Sequence, residues 1–164
     1  MDENTLLVTL DVTSLYTNIP QEEGANWVTE FYSETLSQWS NYSPGLLPVK
    51  PETVKEMILF VLKNSTFEFD NEFYVQNYGT TMGSSFSVRF ANIYMHQFLK
   101  NFFQKNPSLK PEYVARLIDD IFFTWDKNKT ELDTLINELN SCHQTIKFEP
   151  TISETEVHFL DTTV

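Results

Sequence analysis

Short apolar runs and amphipathic stretches divide the first part of the chain into predicted elements. Residues 6–11, LLVTLD, form an apolar and β-branched run that ends on an acid, which predicts a buried strand. After Pro20 and the acidic turn that follows it, apolar residues recur at helical spacing as far as Trp39, and SNYSPG is predicted to end this helix. A second helix is predicted to begin near Pro51 and to run through Leu62.

The rest of the chain is dominated by short apolar strands. They are predicted at residues 66–69, 73–76, 113–118, 121–125, 146–152 and 157–160. Asp70 and Asn71 join the first two strands as a hairpin, and the adjacent pair Asp119 and Asp120 is predicted to form the turn between the next two.

Two further helices complete the pattern, one over residues 84–103 and one over 130–139 with Thr130 as its predicted cap. Hairpins segregated from helices in this way predict an α+β fold, with an antiparallel sheet backed by helices. No repeat or linker interrupts the chain, so we expect a single domain over residues 1–164.

Composition narrows the class of protein. The sequence is 41% hydrophobic and 15% aromatic, which excludes a disordered or low-complexity chain. A lone cysteine, Cys142, excludes a disulfide framework. Met57–Leu62, the longest apolar run, is too short to cross a bilayer, and the amino terminus lacks a basic secretory signal. We therefore expect an intracellular protein with no membrane partner.

The charge balance points away from an independent nucleic-acid binder. The chain contains 11 basic and 23 acidic residues, which gives a net charge of −12, and no lysine or arginine precedes Lys50. Proteins that grip nucleic acid unaided usually carry a basic face, because neutralising phosphates supplies most of the non-specific affinity.

Asp119 and Asp120 are the residues that most strongly suggest chemistry. Two adjacent carboxylates between apolar strands repel each other, although a solvated hairpin turn is the simpler explanation for such a pair. Asp11 ends the first predicted strand, so its carboxylate could share an edge of the sheet with them. Converging hard oxygen ligands favour Mg²⁺, and two such ions can clamp the oxygens of a phosphoryl transfer.

Four blocks of the sequence resemble the motifs of reverse transcriptases, in the form found in Penelope-like retroelements. DVTSLYTNIP at residues 11–20 is similar to motif A, and GTTMGSSFSVRFANIYM at 79–95 to motif B. RLIDDIF at 116–122 resembles motif C, and FLDT at 159–162 the start of motif E. The resemblance implies the palm domain of an RNA-directed DNA polymerase, which transfers nucleotides from dNTPs to a primer 3′-OH.

The resemblance also implies a metal site. Asp11 and Asp119 would hold two Mg²⁺ ions, with Mn²⁺ as a substitute, while Asp120 lies beside them and the Val12 carbonyl adds a ligand. These three aspartates would be the catalytic carboxylates.

Four more residues receive roles from the same resemblance. Tyr16 would be the aromatic gate that rejects a ribose 2′-OH, and Met82 and Gly83 would line the incoming base and the template. Lys147 would protonate the departing pyrophosphate. Without the family, Tyr16 would be a buried core residue, and Met82 and Gly83 would belong to a loop before a helix. Lys147 would be an exposed lysine on a strand.

The partners implied are an RNA template, a DNA primer and dNTPs. The fingers and thumb of such polymerases are largely missing from this chain and would be required for activity; an isolated palm is expected to be acidic. A retroelement enzyme is also expected in the nucleus.

Two alternatives stay open. Leu117 stands where the family usually has Tyr or Phe, and Ser85 and Val88 occupy proline positions of motif B. These departures suggest a catalytically inactive remnant that serves as an interaction module. An unrelated acidic scaffold with a fortuitous pair of aspartates is the third possibility.

Overall fold

A computed structural model describes residues 5–39 and 47–164 and has a mixed α+β architecture. The chain divides into two compact units. The first comprises Met1–Leu15 and Phe98–Val164, and the second comprises Tyr16–Gln97.

The strands are β1 Leu6–Val12, β2 Thr66–Phe69, β3 Glu72–Val75, β4 Val114–Leu117, β5 Asp120–Trp125, β6 Phe148–Ser153, β7 His158–Phe159 and β8 Thr162–Thr163. The α-helices are α1 Leu15–Asn18, α2 Gln21–Thr35, α3 Pro51–Lys63, α4 Ser85–Lys105 and α5 Lys129–Ser141, with 3₁₀ turns at Leu36–Gln38 and Pro107–Leu109.

The first unit is built on a four-stranded sheet in the order β4-β5-β1-β6, with every neighbouring pair antiparallel. Strand β1 is central because its residues are almost all apolar: Val8, Leu10 and Val12 are buried on one face. The same face of β5 contributes Ile121, Phe123 and Trp125. The antiparallel sheet predicted from the sequence is confirmed.

The opposite face of this sheet carries a smaller apolar cluster. Leu7, Phe122 and Val157 are buried there, and Ala115 and Phe159 pack against them. Because side chains alternate along a strand, Asp11 in β1 and Asp120 in β5 project from this second face.

Helix α5 contributes Leu132, Leu135 and Leu139 to the core of the first unit. It is capped by Asn128, whose side-chain oxygen accepts a hydrogen bond from the Glu131 backbone N–H at 2.9 Å. The prediction that Thr130 caps this helix was wrong: the helix begins one residue earlier, and Asn128 has the extended backbone that a cap requires.

The second unit contains helices α2 and α3 and the hairpin β2-β3. Asp70 and Asn71 join the strands with φ values of 53° and 59°, which is the left-handed pair that a two-residue hairpin turn needs. Gly24 allows α2 to approach α4 closely, since a Cβ at this position would lie 2.4 Å from the Phe90 ring. Both features follow from residue types visible in the sequence.

Most predicted elements are confirmed within one or two residues. The predicted helix end at SNYSPG falls on residues 40–46, outside the described part of the chain. A second prediction was wrong: Asp119 and Asp120 do not together form the turn between β4 and β5. Ile118 and Asp119 form it, and Asp120 is the first residue of β5, paired with Leu117. Across the described ranges, no helix is long and apolar enough to cross a membrane.

Candidate active site

Four carboxylates meet at one end of the sheet in the first unit, and they are called the carboxylate cluster below: Asp11, Asp119, Asp120 and Glu149. Leu10 pairs with Ile121, so one residue further along the two strands Asp11 and Asp120 lie side by side. On the other flank of β1, Asp11 pairs with Glu149 of β6. Directly opposite residues of an antiparallel pair lie on the same face, which brings these carboxylates together.

The turn that carries Asp119 is strained. Ile118 has a φ of 56°, which β-branched residues rarely adopt. It is the first of the two turn residues, and a type II′ turn favours glycine at that position. The Arg116 guanidinium donates a hydrogen bond to the Ile118 carbonyl at 2.8 Å. This bond fixes the turn, and with it the position of Asp119. Strained backbone of this kind is concentrated at functional sites.

Burial and mutual repulsion both raise pKa values in the carboxylate cluster. Burial raises the pKa of Asp11 above its ordinary value, and the charges of Asp119, Asp120 and Glu149 raise it further. A backbone hydrogen bond from Val12 opposes this effect. The pKa of Asp120 is also raised, first by burial and then by the charge of Asp119. The fold thus gathers negative charge at a place where it costs stability.

Glu149 was missed by the sequence reasoning. It lies in a strand of mixed polar and apolar residues, FEPTIS, where nothing singles out one acid. Glu149 becomes a candidate only once the register between β6 and β1 is known, because that register pairs it with Asp11. The Thr13 hydroxyl donates a hydrogen bond to the Glu149 carboxylate at 3.2 Å, and the Thr13 backbone N–H donates to the Lys147 carbonyl at 2.9 Å.

Lys147 precedes Glu149 by two residues, and its ammonium lies at the carboxyl end of α5. It donates hydrogen bonds to the carbonyl oxygens of Asn140 at 2.5 Å and His143 at 2.7 Å. Cations are favoured at this end of a helix because the last carbonyls have no partner within the helix. Asn140 also clamps the start of β6: its side chain exchanges two hydrogen bonds with the Phe148 backbone.

The donor set of the carboxylate cluster fits a hard divalent cation. Carboxylate oxygens are the ligands that Mg²⁺ prefers, and a cation would neutralise the repulsion that raises the pKa of Asp11. Over the described ranges, no three His, Cys, Asp or Glu side chains already form a metal-binding group. The fit therefore rests on the chemistry and the shared face of these residues.

The second unit contains the other predicted site residues. Tyr16 is partly exposed rather than buried, and its carbonyl accepts a hydrogen bond from the Thr80 backbone N–H at 2.7 Å. Met82 is 70% exposed. Gly83 has a φ of 90°, and a Cβ added there would meet no atom within 4 Å, so the backbone at Gly83 is open to an approaching molecule.

A sequence model of one family, described as reverse transcriptase (RNA-dependent DNA polymerase), matches residues 1–158. The chain belongs to this family. Among curated proteins, no match is found.

Solved polymerase structures share the fold. Telomerase from Candida albicans, in complex with a fragment of telomeric RNA, is 11% identical with a TM-score of 0.72, and the alignment covers 98% of this chain and 29% of that one. Apo telomerase from Candida tropicalis is 14% identical with a TM-score of 0.65, covering 98% and 34%. The RNA-dependent RNA polymerase of a human picobirnavirus is 11% identical with a TM-score of 0.61, covering 98% and 29%.

This reverse transcriptase chain therefore spans about a third of the polymerases that it resembles in structure. At these identities the likeness establishes the fold: an antiparallel sheet with helices, similar to the palm of telomerase and of RNA-dependent RNA polymerases.

Proposed function

We propose that this protein is an RNA-directed DNA polymerase of the Penelope-like type, which transfers nucleotides from dNTPs to a primer 3′-OH on an RNA template. The observation that carries the proposal is the convergence of Asp11, Asp119 and Asp120 at one end of the sheet. Folding alone gives no reason to gather these charges, whereas a metal-dependent phosphoryl transfer requires them.

Asp11, Asp119 and the Val12 carbonyl would hold the metal ions, with Asp120 beside them. When bound, Mg²⁺ would stabilise the attacking and leaving oxygens of the transfer; Mn²⁺ has the same preference for oxygen. In that transfer the primer 3′-OH loses its proton to solvent water and its oxygen forms a bond to the α-phosphorus, while the bond between this phosphorus and the pyrophosphate oxygen breaks. The strained turn at Ile118 and the Arg116 bond hold Asp119 in place before the substrate arrives.

Lys147 is the proposed source of the proton that the departing pyrophosphate takes up. Its ammonium is held by two carbonyl oxygens, so it would have to exchange those bonds for the leaving group. Tyr16 is the proposed gate against the ribose 2′-OH, and Met82 and Gly83 the contacts with the base and template. Exposure of Met82 and the open space at Gly83 support that role.

The proposed partners are an RNA template, a DNA primer and dNTPs, within a longer polymerase whose fingers and thumb supply the basic grip. A nuclear location follows from the same proposal, because a retroelement enzyme must reach chromosomal DNA.

A second candidate function is a catalytically inactive interaction module. Leu117 is 54% exposed. It occupies the position where the family usually has an aromatic residue beside the primer. An aliphatic side chain there removes one surface against which a primer could stack.

Primer extension tests the polymerase proposal. The full-length protein is given an RNA template with a DNA primer, labelled dTTP and Mg²⁺, and both the extended primer and released pyrophosphate are measured. We expect extension that a chelator abolishes, and we expect Asp133→Asn, an exposed change on α5, to leave it unchanged. A folded protein that extends no primer on RNA or DNA templates would contradict the proposal and favour the interaction module.

A further inference from the structure

A network of hydrogen bonds in the second unit ties the loop before α4 to the backbone of Tyr16. The Thr80 N–H donates to the Tyr16 carbonyl at 2.7 Å. Gly79 also packs against this carbonyl: its φ is 64°, and a Cβ added at this position would lie only 2.2 Å from the Tyr16 oxygen. Only glycine permits this approach, so the backbone around Tyr16 and the loop containing Met82 are held against each other.

Two glutamine side chains hold this loop in place. Gln21, the first residue of α2, donates from Nε2 to the Gln76 carbonyl at 3.3 Å and to the Gly79 carbonyl at 3.0 Å. Gln76 donates from its own Nε2 to the Thr80 carbonyl at 3.0 Å. The backbone of Gln76 is fixed in turn, because its N–H donates to the Ser65 carbonyl at 2.9 Å.

A buried pair of hydroxyls completes the network. Thr80 and Ser87, which are 1% and 0% exposed, share a hydrogen bond of 2.7 Å between their oxygens. Ser87 belongs to the first turns of α4, so the loop is bonded at one end to Tyr16 and at the other to this helix. Loops that carry binding residues are usually mobile. The hydrogen bonds at both ends of this loop instead hold it in one conformation.

We propose that Gln21 and Gln76 are positioning residues that set the discrimination between deoxynucleotides and ribonucleotides. This inference rests on the proposed function, in which Tyr16 excludes a 2′-OH and Met82 contacts the base. A gate rejects a hydroxyl only while its distance from the nucleotide is fixed to a fraction of an ångström. The glutamines act on that distance through their hydrogen bonds to the Gly79 and Thr80 carbonyls.

The direction of the effect follows from this geometry. Loss of the Gln21 donors leaves two carbonyls without their partner and lets the loop move away from Tyr16. A looser gate admits the larger ribonucleotide, so the kcat/KM for rNTPs should rise relative to that for dNTPs. A purely structural role would lower both values together and leave their ratio unchanged.

The test compares three substitutions of glutamine by methionine, which keeps the length of the side chain and removes its donors. In the full-length protein, kcat/KM for dTTP and for UTP is measured on the same RNA template with Gln21→Met, Gln76→Met and the control Gln38→Met. Gln38 is exposed and lies outside the loop, so Gln38→Met makes the same chemical change without removing any of the loop's hydrogen bonds. Thermal melting of each variant shows whether it is folded.

We expect the ratio of dTTP to UTP efficiencies to fall about tenfold in Gln21→Met and in Gln76→Met, and to stay unchanged in Gln38→Met. If either loop variant fails to fold, the other still decides the question. Ratios within twofold of wild type in the folded loop variants would overturn the inference alone. A wild-type protein that incorporates neither nucleotide would overturn the proposed function, and with it this inference.

Discussion

Asp11 experiences repulsion from three other carboxylates: Asp120, Asp119 and Glu149. Asp11 lies at the end of a strand whose other residues are mostly buried; burial raises its pKa, and the charges of these neighbours raise it further. Like charges opposite each other in a sheet are destabilising. This cost is the physical argument behind the proposed cation at the carboxylate cluster.

Burial and repulsion together raise the pKa of Asp11, which predicts a dependence of stability on pH. The folded state holds the Asp11 proton more tightly than the unfolded state does, because its pKa is raised above 3.8. Stability is therefore lost as the pH rises through the window that begins near 3.8 and ends at the raised pKa. Above that window Asp11→Asn should be more stable than wild type by about 0.2–1 kcal/mol, the range for exposed charge pairs.

Denaturant unfolding at pH 7.5 and again below pH 4, without divalent cations, checks this prediction. Asp133→Asn is the control, since Asp133 is exposed on α5 away from the cluster. The difference between Asp11→Asn and wild type should vanish at the lower pH, where both side chains are neutral. An Asp11→Asn variant that is less stable than wild type at pH 7.5 would show that the carboxylate stabilises the fold.

Helix α5 offers a test at the level of a single element. The Asn128 side chain accepts from the Glu131 N–H and also donates to the Glu131 carboxylate at 2.9 Å. We expect Asn128→Ala to lower the free energy of unfolding by about 1 kcal/mol, the usual contribution of an N-cap. Thr130→Ala should have a smaller effect, because Thr130 lies inside the helix. The two variants are compared by urea unfolding, and equal losses would contradict the assignment of Asn128 as the cap.

The sequence was sufficient for most elements of the fold. Buried strands such as β1 and β5 are nearly continuous apolar runs, and the turn at Asp70 and Asn71 combines two residues that tolerate positive φ. The turn at Asp119 could not be placed in the same way. Two adjacent acids are typical of a turn, yet the sheet register moves the turn back by one residue onto Ile118, an unfavourable residue at that position.

Part of the candidate site was predictable because local sequence patterns mark its residues. Asp11, Asp119 and Asp120 stand out because each acid adjoins an apolar strand. Glu149 and the Lys147 contacts depend on long-range pairing between β1 and β6 and on the end of α5, which local patterns do not encode. The role of Lys147 as a proton donor stays a prediction.

The net charge of −12 is a property of the whole chain, and it constrains how the chain can work. An acidic protein gains little from phosphate neutralisation, so tight binding of a template and primer requires basic groups from elsewhere. The chain spans about a third of the length of the two Candida telomerases that it resembles in structure. The central claim is that Asp11, Asp119 and Asp120 support metal-dependent nucleotidyl transfer.

The most direct test of this claim is the rate of a single nucleotide incorporation by the full-length protein and by Asp119→Asn. Asn is nearly the same size as Asp, and it removes one charge from the crowded cluster, so this variant should fold. We predict a single-turnover rate lower by about a thousandfold or more, with unchanged far-ultraviolet circular dichroism. A folded Asp119→Asn protein that incorporates dTTP within tenfold of the wild-type rate would contradict the account.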